Sequence, residues 1–153
     1  METSNRQNAI AFLQTLIGQP LLYALKSPDT ELYDFGFGEL VEVVNRHGIP
    51  RKIGAHTVHA LCRFQVIWKT GERRVDKYYE DTPCETFRAE IQPLLGLQVK
   101  RVALSDKNDL WLDFGDYWVV FATFENGEES WRFFTSDIAL PHLVASNAWL
   151  SFE

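Results

Sequence analysis

Cysteine is scarce in this chain of 153 residues: only Cys62 and Cys84 occur. Two thiols make neither a disulfide framework nor a clustered thiolate metal site, and the expected setting is a reduced, cytoplasmic one. Long apolar runs are missing as well. No stretch approaches the ~20 residues that a membrane-spanning helix needs. The opening Met1-Glu2-Thr3-Ser4-Asn5 has neither a basic n-region nor an apolar h-region, so no signal peptide is expected. Basic residues are in deficit, 15 against 21 acidic ones, for a net charge of −6. A general nucleic-acid binder needs a basic surface, so that class of partner is not expected. Gly-x-Ser-x-Gly, the phosphate-binding loop, the dinucleotide fingerprint and His-Glu-x-x-His are all absent. Asp-Phe-Gly occurs at 34–36 and 113–115, but without the glycine-rich loop and catalytic-loop motif that would make it a kinase signature. No cofactor is expected.

Aromatic residues are plentiful at 14%, with five Trp and eleven Phe, which favours a β-rich core. They also sit in a repeat. Ile17-Gly18, then Ser27, then Glu31-Leu32-Tyr33-Asp34-Phe35-Gly36 is echoed by Leu95-Gly96, Ser105 and Asp109-Leu110-Trp111-Leu112-Asp113-Phe114-Gly115. Each Gly lies nine residues before its Ser and fourteen before its Leu, and the two Gly are 78 apart. A period of about half the chain predicts two copies of one supersecondary unit. Leu112 is an extra residue in the second copy, so the two Asp-Phe-Gly triplets need not be equivalent in space.

Ala9, Ile10, Phe12, Leu13, Leu16 and Ile17 recur at helical spacing, with Gly18 as a stop, and predict a helix over 5–17. A second helix is expected from Thr82 as cap and Pro83 at the first helical position to Gly96, with Phe87, Ile91, Leu94 and Leu95 as its apolar stripe. Strands are predicted at 21–26, 31–35 and 40–44, a loop at 45–54, then a long strand over 57–69 turning at Thr70-Gly71 into 72–79. The second unit reads as strands at 98–104, 109–114 and 117–124. A hairpin at Asn126-Gly127 leads into 129–134, and short strands follow at 143–145 and 149–152. The fold class is α+β: two tandem related units, each a short helix followed by antiparallel strands, forming one pseudo-symmetric domain over 1–153 with repeats at about 4–79 and 82–153.

Few constellations carry chemistry. His56, His59 and Cys62 have metal-like spacing, but on a strand His59 faces away from the other two, so no metal is expected. Cys62 beside His59 fails as a nucleophile and base for the same reason, and a cysteine in an apolar stretch is usually a small core residue. Asp106, Asp109, Asp113 and Asp116 crowd around Trp111 and Tyr117, an arrangement seen in glycoside-cleaving sites and also in plain turns. In Glu129-Ser130-Trp131-Arg132-Phe133-Phe134 the alternation puts Trp131 and Phe133 on one face and Arg132 on the other, next to an acid. Charge is uneven. Residues 46–77 hold eight bases against two acids, and 102–153 hold two against nine. Such asymmetry suits oriented association with a protein partner or another copy of the chain.

Leu95-Gly96-x-x-Val99, the 109–115 phrase, and Glu129 to Phe134 followed by His142-Leu143-Val144 give the chain a likeness over about 90–152. It resembles a loose set of small uncharacterised bacterial β-rich proteins, some of them similar to immunity proteins of polymorphic toxin systems. The resemblance implies a bacterial cytoplasmic protein with a protein partner, and it transfers no catalytic residue. The leading expectation is therefore a non-enzymatic interaction module, in immunity-like form an inhibitor whose acidic half meets a basic target. The alternative is a small-molecule binder or hydrolase with its site in the groove between the units, lined by Trp111, Asp113, Tyr117 and Trp131.

Overall fold

In the computed structural model, which describes residues 2–28, 30, 32–69, 77–78 and 83–153, the first element is helix α1, Glu2–Leu13. It tightens into a 3-10 turn at Gln14–Leu16. Ala9, Leu13 and Leu16 share one buried stripe, as a helical repeat dictates. Phe12 packs against Phe133 and Phe152, with ring centroids 4.7 and 5.9 Å away. Helix α2, Cys84–Ile91, ends the same way in a 3-10 turn at Gln92–Leu94, and buries Phe87, Ile91 and Leu94. Pro93 falls in that tightened turn, where a missing N–H is tolerated. Pro83 stands one place before α2, and Thr82, the expected cap, lies outside the described residues. Gly18 and Gly96 follow the turns with φ of 87° and 85°.

The strands form two antiparallel sheets. The larger holds β1 (Leu21–Lys26), β2 (Tyr33–Val44), β3 (Pro50–Ala60), β9 (Trp131–Thr135), β10 (Leu143–Ala145) and β11 (Leu150–Phe152) in the order β1-β2-β3-β9-β10-β11. The smaller holds β4 (Phe64–Trp68), β5 (Lys77–Tyr78), β6 (Arg101–Leu104), β7 (Leu110–Asp113) and β8 (Tyr117–Phe121) in the order β5-β4-β8-β7-β6. The chain crosses between them twice. Leu61-Cys62-Arg63 carries it from β3 to β4, and residues 122–130 carry it from β8 to β9. The crossings are tied together: Leu61 and Cys62 N–H donate to the Ser130 carbonyl at 2.8 and 3.0 Å, and Ala122 N–H donates to the Arg63 carbonyl at 3.0 Å.

The strand order corrects four sequence expectations. The run 57–69 is two strands in different sheets rather than one. Asn126-Gly127 does turn, with Gly127 at φ 78°, but β8 and β9 do not pair with each other. Half of the expected 45–54 loop is β3, and β2 runs through Gly36-Phe37-Gly38 as a single strand with a register shift there. Of the expected turn and strand at 70–79, only Lys77–Tyr78 lies within the described residues, as β5.

A single cluster of buried side chains joins both helices and the facing sides of both sheets. At its centre Phe35 of the larger sheet meets Phe64 and Phe121 of the smaller at 5.2 and 5.1 Å, both edge-to-face. Phe87 of α2 closes on Tyr33 and Phe64 at 5.0 and 5.5 Å. Each fully buried Phe contributes roughly 1.5–3 kcal/mol by removing apolar surface from water. The two sheets are also sewn where the helices end. Gly18 N–H donates to the Val99 carbonyl and Gly96 N–H to the Leu21 carbonyl, both at 2.8 Å. Leu21 N–H donates to Leu97 and Val99 N–H to Gln19, both at 3.0 Å, around a Pro20–Gln98 bridge. Among the described residues no helix is long and apolar enough to cross a membrane.

Candidate functional site

The residues singled out from sequence separate. Trp131 lines no groove: it is 0% exposed, with its indole N–H donating to the Asn108 carbonyl at 2.9 Å. Strand alternation assigned it a face correctly, and that face is the core. Asp109 accepts the backbone N–H and the hydroxyl of Thr123 at 2.8 and 3.0 Å, which locks the β6–β7 turn to the end of β8. Asp106 is exposed in that same turn, and Asp116 is exposed at the other end of β7, so the acids do not make one patch. Tyr117 leans on Trp68 at 4.4 Å, and burial together with the Asp116 carboxylate pushes its phenol above the usual range. Arg132 is taken up by Glu129, at 2.5 and 3.1 Å, and by His142 Nδ1 at 3.2 Å.

Asp113 is the exception, because it organises a cluster. It is 3% exposed and accepts hydrogen bonds from Lys69 Nζ, from Arg101 Nε at 2.8 Å and from the Gly115 N–H at 2.8 Å. Burial alone would raise its pKa, but these donors hold the carboxyl below the usual range. Both cations flank Trp118, with Lys69 Nζ 4.5 Å and Arg101 Cζ 5.3 Å from its ring. Trp111 stands 5.6 Å from Trp118, edge-to-face. This group lies on the outer face of the smaller sheet. Trp118, Lys69 and Arg101 were not found from sequence. Three strands and the end of a fourth bring the group together, and only the pairing register could have revealed it.

The outer face of the larger sheet carries different chemistry. His59 Nε2 lies 3.5 Å from Asp34 Oδ1, His59 meets Phe134 edge-on at 4.9 Å, and His142 stacks on Phe134 at 4.3 Å. Burial and the neighbouring Arg132 and His59 lower the His142 pKa. His56 points the other way, stacked over core Phe133 at 6.2 Å, and burial lowers its pKa too. Burial raises the Cys62 thiol to about 12, far from a reactive thiolate.

The third feature is an arm. β1 covers β2 only as far as Phe37, and β9 covers β3 only as far as His56. Beyond those points β2 and β3 continue as a two-stranded ribbon, and from Glu39 to Ile53 no residue is buried. Leu40, Val44 and Ile49 are each more than half exposed. Asn45 Oδ1 accepts the N–H groups of His47 and Ile49 at 2.9 Å and orders the tip. Arg46, Arg51 and Lys52 are exposed there, with exposed Glu42 directly across from Lys52. At the base, Ser136 N–H donates to the Ala55 carbonyl at 3.0 Å, which sets the 136–141 loop alongside. That loop exposes Leu140 and Ile138, the latter 95% exposed.

No protein-family model, no curated protein and no solved structure matches this chain.

Proposed function

We propose that the chain is a non-enzymatic protein-interaction module of the bacterial cytoplasm that docks through the β2–β3 arm and the adjoining 136–141 loop. One observation carries this: the arm and the 136–141 loop bonded at its base together expose five apolar side chains, Leu40, Val44, Ile49, Ile138 and Leu140. A ribbon of two strands is marginal by itself, and contiguous exposed apolar surface marks an interaction site. The basic tip favours an acidic partner surface. The immunity-like form of the reading, with acids of 102–153 against a basic target, rests on the resemblance. Of the four acids around Trp111 and Tyr117, Asp109 and Asp113 are spent on internal bonds, and exposed Asp106 and Asp116 lie at opposite ends of β7, so the arm is the better-defined face. The groove reading has less support, because Trp131 is buried and Asp113 is saturated.

The two-unit organisation belongs to the same proposal. The junction bonds are reciprocal at a spacing of 78, Gly18 to Val99 against Gly96 to Leu21. The pairs Tyr33–Ala60 and Phe35–Val58 have counterparts in Leu110–Phe121 and Leu112–Val119. In this reading each half keeps three strands and lends the rest to the other sheet, β4–β5 one way and β9–β11 the other. Tyr33, rather than Leu32, then corresponds to Leu110, because the first turn is one residue longer. Ser27 N–H reaches Leu32, whereas Ser105 N–H reaches Asp109.

The test is binding to the product of the gene immediately upstream, measured by interferometry with wild type and with the combined variant Leu40→Ser, Val44→Ser, Ile49→Ser. Wild type should bind, and the variant should bind at least about tenfold more weakly, a loss of about 1.4 kcal/mol. Association should also slow at high salt. Equal binding by both proteins, or none by either, overturns the reading.

A further inference from the structure

We infer that the outer face of the smaller sheet binds a flat aromatic carboxylate, its ring against Trp111 and Trp118 and its carboxylate on the Arg101 guanidinium. The register builds the site. Arg101, Asp113 and Trp118 stand side by side across β6, β7 and β8, and Ala103, Trp111 and Val120 form the next row on that face. Outward residues of a half-solvated antiparallel sheet are ordinarily polar. Here two indoles stand among them, and with Ala103, Leu104 and Ser105 they line an open depression of about 270 Å³. That is just below the ~300–1,000 Å³ of drug-sized sites, so it has room for one small ring system.

The charge around the depression selects the ligand. Asp113 is fully engaged, so two cations against one carboxylate leave a single positive charge in excess. Arg101 uses only Nε on Asp113. Its two Nη groups make no hydrogen bond among the described residues, and its side chain is 69% exposed. A planar fork of N–H donors meets a carboxylate bidentately. One such fork suits one carboxylate and is too little for a polyphosphate. The nearly wholly apolar depression offers a sugar few hydroxyl partners. A cationic ligand would face Lys69 and Arg101 already seated against Trp118.

The fold does not need this cluster. At the corresponding register positions of the larger sheet stand Tyr23, Gly36 and Thr57 in one row. There the face closes on itself. Tyr23 lies over Gly36, so near that a Cβ on Gly36 would sit 2.2 Å from the ring, and its hydroxyl accepts the Gly54 N–H at 3.2 Å. Asp113 therefore acts as a positioning residue, holding Arg101 and Lys69 against Trp118, whose ring lines the depression. The inference is independent of the arm and stands or falls without it.

The experiment titrates the protein with 3-phenylpropionate and follows the indole N–H resonances, assigned by single Trp→Phe substitutions. Trp111 and Trp118 should shift while buried Trp131 stays in place. The uncharged 3-phenylpropionamide should bind at least about tenfold more weakly, as should 3-phenylpropionate to Arg101→Met and to Trp111→Leu. N-acetyl-glycyl-phenylalanine distinguishes the sources: equal or tighter binding identifies the C-terminal aromatic residue of a polypeptide, and weaker binding a free acid. Silent Trp111 and Trp118 resonances at millimolar ligand overturn the inference. So does equal binding of the amide, or unchanged binding by a folded Arg101→Met protein.

Discussion

The outer faces of the two antiparallel sheets carry opposite chemistry. On the larger sheet the polar groups of the central strands lean on neighbours: Tyr23 on Gly54, Arg132 on Glu129 and His142, and His59 3.5 Å from Asp34. On the smaller sheet a buried carboxylate holds two cations against a half-buried indole and leaves donor groups unspent. The inner faces cannot diverge in this way, because both are packed into one core where a change of a single methylene is felt. Divergence is therefore read on the outer faces, and the sharpest tests are substitutions that close the open face or open the closed one.

The largest effect should come from the closed face. A Cβ on Gly54 would lie 2.7 Å from the Phe37 backbone nitrogen and 2.9 Å from the Gly36 Cα. Neither atom can move without breaking the β2–β3 pairing. Gly54→Ala should cost about 3 kcal/mol, at the upper end of overpacking costs, as read by denaturant unfolding. Gly36→Ala meets only the Tyr23 ring, which can swing out, so about 2 kcal/mol is expected. It should also move the Tyr23 phenol, raised by burial, back toward its ordinary pKa. A Tyr23 titration unchanged in Gly36→Ala would mean that the ring does not seal this face.

Acid should reach the histidines of the larger sheet before the carboxylate of the smaller. His142 and His56 have folded pKa values below the ordinary 6.5, so the unfolded chain takes up their protons first. Stability they support at neutral pH is then lost as pH falls below about 6.5. Asp113 is held below the usual carboxylate range, so its contribution is present above about pH 4 and disappears only as pH falls through the folded value. Between about pH 7 and pH 5, His142→Gln should lose less stability than wild type. Asp113→Asn should run parallel to wild type there, about 2 kcal/mol lower, a figure reduced for the exposure of Arg101. The two curves should converge in stronger acid. A wild-type curve flat across that window would remove the histidines from the account.

Much of the frame was legible in the chain. Helical spacing, Gly18 and Gly96 as stops, and the strand at 21–26 are local signals, and local signals survive folding. The exchange of strands between sheets was not legible, since Leu61-Cys62-Arg63 carries no turn chemistry and reads as continuing strand. Asn126-Gly127 announces a turn without saying which strand its neighbours will join. Gly48 and Pro50 suggested loop, yet Pro50 begins β3 at the free end of the arm, where a missing N–H costs no ladder bond. Of the open face, Trp111 and Asp113 were visible as an aromatic and an acid in one strand. Their partners lie in or beside β4, β6 and β8, and distance along the chain hides what register brings together. Alternation also cannot say which of its two faces is the core, which is why Trp131 looked available.

The smallest predicted effect tests the halves directly. Gly18 and Gly96 occupy left-handed backbone, at φ 87° and 85°, and each has open space where a Cβ would go. No contact cost distinguishes them, so the penalty of an alanine is backbone strain alone. Gly18→Ala and Gly96→Ala should each lose about 1 kcal/mol. Their N–H groups make reciprocal bonds across the same junction, so the losses should agree within about 0.5 kcal/mol. The double variant reports on the junction itself. The two bonds frame one Pro20–Gln98 bridge, so strain from the two sites should couple rather than add. Unequal single losses would break the proposed correspondence between the halves. Simple additivity would keep the correspondence but make the two helix ends independent stops instead of one shared seam.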